Sequence, residues 1–183
     1  MNLFAKLASS AALACVVFGL SAPARADDDI TKHLISNPNV GSYVIYGTET
    51  NKKIKDPAVQ GGSAVEVSAT GVGPIYAAAG QVDVNQKVTA GDHIVCAVWL
   101  KGKAADGTSA VTVHARLQLN AAPYPATGET DFTLTDQWKM YTLEVDSDKD
   151  YDKDKLVFVM HLNGAKQTVD LGPAFVLNMT RTY

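Results

Sequence analysis

The sequence is poor in cysteine, which excludes a disulfide-stabilised fold. It has two cysteines in 183 residues, and Cys15 lies inside an N-terminal segment that we expect to be removed. The remaining thiol, Cys96, cannot form a disulfide within the chain. Cys96 lies in the apolar stretch 94–98, which predicts a small buried side chain and not a nucleophile. Packing of a hydrophobic core must therefore stabilise the fold.

Long hydrophobic segments are also missing after residue 26, so no membrane span is predicted there. The first 26 residues have the three parts of an export signal: a basic start at Lys6, an apolar run at residues 7–20 and a small-x-small cleavage site at residues 24–26. The apolar run is shorter than the roughly 20 residues that span a bilayer. We predict a signal peptide at residues 1–26, a single domain at residues 27–183, and a secreted or periplasmic location.

Basic residues are too few for a phosphate-binding surface. Loss of Lys6 and Arg25 with the signal peptide leaves 14 of the 16 basic residues against all 19 acidic ones, a net charge near −5. Nucleic-acid-binding proteins concentrate lysine and arginine on one face. The charge balance therefore argues against a nucleic-acid partner.

The motifs of common hydrolases are absent. Residues 61–65 contain a serine but not the Gly-x-Ser-x-Gly pattern of a nucleophile elbow. A glycosidase needs two carboxylates facing one cleft, and Glu66 and Glu144 on predicted strands have no evident partner. The four histidines are isolated in the sequence, so no zinc site is predicted unless strand pairing brings His114 and His161 together. We predict no catalytic residues.

What the sequence does contain is the pattern of β-strands. Apolar and polar residues alternate in short runs bounded by Gly, Pro, Asn and Asp. The predicted strands are residues 43–46, 63–69, 76–84, 93–101, 110–119, 130–133, 139–145, 156–162 and 174–179. Residues 121–129 contain two prolines and a glycine, which predicts a loop. Short strands at this spacing predict an all-β, two-sheet sandwich.

Alternation also predicts which side chains leave the core, because successive residues of a strand point to opposite faces of the sheet. The rows predicted to face inward are the even-numbered residues of 94–100, the odd-numbered residues of 111–119 and the even-numbered residues of 156–162. The outward residues of chemical interest are Trp99, His114, Arg116, Gln118 and His161. The polar row of strand 110–119 is either a ligand-binding surface or a solvated sheet face.

An ordered set of short motifs resembles a known family. The motifs lie at residues 35–38, 61–67, 90–102, 134–142 and 169–177. In this order they resemble the carbohydrate-binding modules of families four and nine, which have a jelly-roll, galactose-binding-like β-sandwich. The resemblance covers most of residues 34–178.

The resemblance implies an antiparallel jelly-roll sandwich that binds a polysaccharide or glycan on its concave face, without catalysis, and commonly beside a glycoside hydrolase. Sugar recognition needs flat aromatic rings that stack on the pyranose and planar groups that hydrogen-bond its hydroxyls. Tyr124, held between Pro123 and Pro125, is a rigid aromatic candidate. The predicted carbohydrate-binding residues are Trp99, His114, Arg116, Gln118, Tyr124 and His161, with Tyr76 and Gln81 as weaker candidates.

The resemblance also implies a structural calcium ion in many members, and Asp170 is a candidate ligand near the closing strand. Fold analogy alone does not settle function. Two other functions stay open: a structural or protein-interaction domain of the cell envelope that has lost sugar binding, and, least favoured, a hydrolase.

Overall fold

Two β-sheets make up the fold. The computed structural model describes residues 29–107 and 110–183, so the predicted signal peptide at residues 1–26 lies outside the described residues. The strands are β1 (Val44–Tyr46), β2 (Thr50–Lys55), β3 (Ser63–Thr70), β4 (Ala79–Asp83), β5 (His93–Ala104), β6 (Val111–Leu119), β7 (Ala126–Leu134), β8 (Lys139–Asp146), β9 (Leu156–His161) and β10 (Lys166–Asn178). Short 3-10 helices lie at Ile30–His33, Val40–Ser42, Gln60–Gly62 and Ile75–Ala77.

Each sheet has five strands. The first sheet has the order β1-β4-β9-β6-β7 and the second has the order β2-β3-β10-β5-β8. All pairings between neighbouring strands are antiparallel. The predicted all-β, two-sheet antiparallel sandwich is confirmed. Within the described part of the chain, no helix has the length and apolarity that crossing a membrane requires.

The core lies between the sheets, and its composition confirms the predicted alternation. The fully buried residues include Ile94, Cys96, Val98 and Leu100 of β5, Val113 and Ala115 of β6, and Phe158 and Met160 of β9. Burial raises the pKa of the Cys96 thiol, as expected for a small buried hydrophobe. On β9 the reverse row is buried too, since Val157 and Val159 are 1% and 0% exposed. β9 is therefore covered on both faces, at the centre of the first sheet.

Strands at the sheet edges were the hardest to predict. β2 is absent from the predicted strands because five of its six residues are polar, and most of it is exposed at the edge of the second sheet. β7, at the edge of the first sheet, begins at Ala126, inside the segment 121–129 that was predicted to be a loop. Edge strands bury little surface and commonly carry charged residues, which removes the alternation that marks a strand.

The closing strand β10 is also longer than the predicted strand 174–179. Its register against β5 shifts between Leu171 and Ala174, where Gly172 and Pro173 lie. A bulge tolerates a proline that a regular central strand would exclude. The Gly-Pro pair therefore looks like a strand boundary in the sequence but lies within one continuous strand.

Candidate functional site

A groove of about 740 Å³ lies on the outer face of the first sheet. Strands β4, β6 and β9 form its floor, and β1 with the segments before β4 and after β6 forms its walls. The lining residues are Tyr46, Tyr76, Gln81, Arg116, Gln118, Asn120, Pro123, Tyr124 and His161. Three phenol rings and three side-chain amides are in this set, so the groove can both stack on a ligand and hydrogen-bond it.

The floor is assembled by the pairing of β6 with β9. The pairing places His114 opposite His161 and Gln118 opposite Val157. The two imidazole rings stack with their centroids 6.0 Å apart. Residues opposite each other on neighbouring strands point to the same face of the sheet. Alternation adds Arg116 to that face, so the predicted polar row of β6 and His161 share one surface.

A tight loop between β6 and β7 presents the Tyr124 ring to the groove. Tyr124 has a φ of 59°, in the left-handed region that residues other than glycine rarely adopt. The Tyr124 amide donates to Ala121 O at 2.7 Å, and the Leu119 amide donates to Pro125 O at 3.0 Å. Residues held in such conformations cluster at functional sites. The loop therefore fixes a half-exposed aromatic ring at one wall.

Two further tyrosines complete the aromatic lining. Tyr46 ends β1 and Tyr76 lies in the 3-10 helix before β4, and with Tyr124 their exposed fractions are 40%, 61% and 49%. The Tyr76 ring meets the His161 ring edge-on at 6.3 Å. Burial, with a smaller effect of Tyr124, raises the pKa of Tyr46. Its hydroxyl stays protonated at neutral pH and can donate a hydrogen bond.

Carboxylates of β7 hold the polar side chains of β6 in place. His114 Nδ1 lies 2.6 Å from Asp131 Oδ1, and Arg116 Nε lies 2.9 Å from Glu129 Oε2. Asp131 and Glu129 are themselves 65% and 53% exposed at their side chains. Neither lines the groove among the described residues. The two acids therefore lie at the edge of the floor, where they orient His114 and Arg116. The groove itself is left without a carboxylate from the described part of the chain.

His161 is the most electrostatically unusual residue of the floor. It is 4% exposed, and its Nδ1 atom is buried with no hydrogen-bond partner among the described residues. Burial lowers the pKa of His161 to about 4, with further lowering by Arg116 and His114 against an opposing effect of Glu129. The ring is therefore neutral at pH 7.

This low pKa predicts that acid destabilises the fold through His161. The unfolded chain takes up a proton at this imidazole as pH falls through about 6.5, whereas the folded chain resists until about pH 4. The contribution of neutral His161 to the unfolding free energy is complete above the pKa of the unfolded chain. It is lost as the pH falls towards the pKa of the folded chain. We expect about 3 kcal/mol of unfolding free energy to be lost over this interval.

Urea denaturation of the wild type and His161→Gln across this pH range measures the effect. The difference in unfolding free energy between the two proteins should change in favour of the variant as pH falls. Parallel stability curves would show that His161 titrates alike in the folded and unfolded states.

The structure does not bring Trp99 to this groove, which corrects the expected convergence of the predicted residues. Trp99 lies on β5 in the second sheet, and its Nε1 donates to Gln60 Oε1 at 3.0 Å. Alternation correctly directed its side chain away from the core, but a pattern of period two does not say which sheet contains the strand. The other predicted residues do meet: Arg116, Gln118, Tyr124 and His161 line the groove, and His114 stacks on His161 beside it.

Sequence reasoning missed three lining residues, Tyr46, Asn120 and Pro123, the last of which was named only for holding Tyr124. Tyr46 is exposed at the end of β1 and Asn120 follows β6. The alternation of residues 43–46 separates Tyr46 from the partly buried Tyr43 and Ile45, so its outward direction was available in the sequence. The weaker candidates Tyr76 and Gln81 both lie in the groove.

Asp170 does not fit a calcium ligand in this structure. Its Oδ2 lies 3.3 Å from Lys101 Nζ on the second sheet, and Lys101 also bonds Asp56 at 2.7 Å. Within residues 29–107 and 110–183, no group of three or more His, Cys, Asp or Glu is placed to hold a metal ion.

Known structures share this architecture. A CBM4 structure superposes with a TM-score of 0.59 at 18% identity, covering 75% of this chain and 95% of its own. The N-terminal cellulose-binding domain of Cellulomonas fimi beta-1,4-glucanase C gives 0.54 at 17% identity, covering 76% and 90%. The chain has a carbohydrate-binding-module fold. A CBM22-1 xylan-binding domain from Paenibacillus barcinonensis also shares this fold, with a TM-score of 0.55 at 12% identity, covering 80% and 91%.

The comparisons and the sequence motifs agree on the fold, which is that of carbohydrate-binding modules. No family model and no curated protein matches the sequence. At identities of 12–18% the likeness is one of fold. Function must therefore be argued from the side chains of the groove.

Proposed function

We propose that this protein is an exported, non-catalytic carbohydrate-binding module that holds a polysaccharide or glycan in the groove of the first sheet. The observation that carries the proposal is the convergence of Tyr46, Tyr76 and Tyr124, from three separate segments, around one polar floor. Large exposed aromatic side chains are normally scattered on a protein surface, and a gathered set marks a binding site.

The chemistry of the lining suits a sugar. Phenol rings offer flat apolar faces to the C–H face of a pyranose, and the amides of Gln81, Gln118 and Asn120 can both donate to and accept from hydroxyls. The Gln118 Oε1 atom is buried and has no partner among the described residues. A buried polar atom without a partner is costly, so a ligand hydroxyl at this position would restore a hydrogen bond.

The same lining supports a role without catalysis. Glycoside hydrolysis uses an acid and a second carboxylate on either side of the scissile bond. None of the lining residues drawn from the described chain is Asp or Glu. Glu129 and Asp131 are engaged with Arg116 and His114 at the edge of the floor. The groove is therefore equipped to hold a chain and not to cleave it.

We extend the proposal to location and partners. The signal peptide predicted at residues 1–26 would send the protein to the periplasm or the cell exterior, where glycans are accessible. A glycoside hydrolase or an envelope protein is the expected partner, and the cellulose-binding domain with this fold comes from a glucanase. The structural calcium implied by the resemblance stays a prediction, without Asp170 as its ligand.

Affinity electrophoresis in native gels tests the proposal. The mature protein should migrate more slowly in a gel containing at least one of xylan, β-glucan, mannan or pectin than in a gel without polysaccharide. Bovine serum albumin in the same gels controls for viscosity. Unretarded migration across all four polymers would contradict sugar binding and favour the envelope-interaction role.

A further inference from the structure

The side chains that line the groove carry formal charge of one sign only, with the carboxylates of Glu129 and Asp131 at the edge of its floor. The chain has 19 acidic residues, but none of the groove-lining residues in the described part is acidic. Arg116 is the lining residue with a permanent charge, and His161 beside it can gain one. A concave surface of one sign favours ligands of the opposite sign.

We propose that the groove selects an acidic glycan, one that contains uronic acid residues, and that Arg116 and His161 hold the sugar carboxylate. This inference depends on the proposed function, because it names the class of glycan bound at the same site.

Arg116 has the donors that such a carboxylate needs. A guanidinium has five N–H donors in a planar fork, and it binds carboxylates with two parallel hydrogen bonds. Glu129 Oε2 lies 2.9 Å from the Nε atom without forming a hydrogen bond, and Nη2 makes only a long hydrogen bond of 3.4 Å to Tyr124 O. The Nη edge therefore remains for a ligand. Since Glu129 is more than half exposed, it neutralises Arg116 only in part.

His161 provides the second donor. Its Nδ1 atom is buried at the floor and has no partner among the described residues, so a bound carboxylate would satisfy it. The groups facing His161 are Arg116 and His114 of β6 and the Tyr76 ring, with Glu129 and Asp131 of β7 behind them. A bound anion offsets the repulsion from Arg116 and raises the pKa of His161. Binding is then coupled to proton uptake.

A neutral glycan would not use these features. Hydroxyl groups gain less than a carboxylate from a charged guanidinium, because hydrogen bonds between two charged partners are the stronger kind. The three amides and three phenols of the lining serve neutral and acidic sugars alike. The discriminating residues are therefore Arg116 and His161.

Isothermal titration calorimetry with matched polymers tests the inference. The probes are polygalacturonate and alginate, each compared with its esterified form, which keeps the ring and loses the charge. We expect at least one acid polymer to bind roughly tenfold more tightly than its ester, about 1.4 kcal/mol. The preference should grow from about pH 7 to about pH 5, where sugar carboxylates stay ionised and His161 can be protonated by binding.

Substitutions test whether Arg116 is responsible for the preference for the acid polymer over its ester. Arg116→Gln should lose most of the preference, because only His161 is left to hold the carboxylate, and Arg116→Lys should keep a larger part because it keeps the charge. The matched control is Lys52→Gln, an exposed cation on the second sheet, which should leave the preference unchanged.

Each remaining outcome overturns the inference in a distinguishable way. Equal binding of acid and ester polymers by the wild type would overturn acid selection and leave the proposed function intact. A preference that is undiminished in Arg116→Gln would overturn the assignment to Arg116. Absence of binding to the uronans and also to xylan, β-glucan and mannan would overturn both this inference and the proposed function.

Discussion

Replacing Tyr46, Tyr76 or Tyr124 by alanine should weaken glycan binding about tenfold each, and replacing all three should abolish measurable retardation. Each substitution removes one aromatic face and leaves the polar floor in place. Because the three side chains are 40–61% exposed, their removal opens no cavity in the core. Calorimetry with the glycan that retards the wild type in native gels gives the dissociation constants.

Trp99→Ala is the matched control for the tyrosine series. It also removes a partly exposed aromatic ring, but from the second sheet, so glycan affinity should stay within a factor of two, roughly the error of such comparisons. Circular dichroism verifies that each variant is folded. Full binding by the triple tyrosine variant, or loss of binding in Trp99→Ala alone, would place the site outside the groove.

Asp92→Ala should cause the largest loss of stability, about 3 kcal/mol of unfolding free energy. Asp92 is 1% exposed and accepts hydrogen bonds from the Thr89 amide at 2.8 Å, Asn178 Nδ2 at 2.8 Å and Arg181 Nε at 2.7 Å. Burial alone would raise the pKa of Asp92, but these three donors together lower it below the ordinary value. Alanine would leave buried donors without an acceptor near the C-terminus of the chain.

Urea denaturation midpoints measure this loss. Asp92→Asn keeps the shape and removes the charge, so it should fall between alanine and wild type. Asp152→Ala, in an exposed turn, is the control and should change stability by less than about 0.5 kcal/mol. A midpoint for Asp92→Ala equal to that of Asp152→Ala would show that the buried carboxylate contributes nothing net.

The core face and the polar face of β6 were predictable because its two rows of side chains have strong and opposite preferences for water. Val113, Ala115 and Leu117 of β6 are buried, while Arg116 lines the groove and His114 stacks on His161 beside it. The edge strand β2 was not predictable by this route. Most of β2, including its lysines, is exposed to solvent, so apolar and polar residues do not alternate along this strand.

The candidate site was predicted in part. Arg116, Gln118, Tyr124 and His161 were named from alternation, chemistry and the resemblance, and the structure places all four at one groove. Trp99 was named on the same grounds and lies on the second sheet. Both predictions used the alternation along a single strand. This alternation correctly predicted that the side chains point away from the core, but it does not predict which sheet contains the strand.

By itself, the sequence determined the all-β class, the inward rows of the central strands and the presence of one cysteine, Cys96, in the described part of the chain, which leaves no disulfide there. These follow from local spacing and composition, which act over two to about ten residues. Only the tertiary structure decided that β6 lies beside β9, that Tyr46 and Tyr124 share a groove and that Trp99 does not reach it. Strand order depends on pairing between segments far apart in the chain, and a single sequence does not record which partner a strand will take.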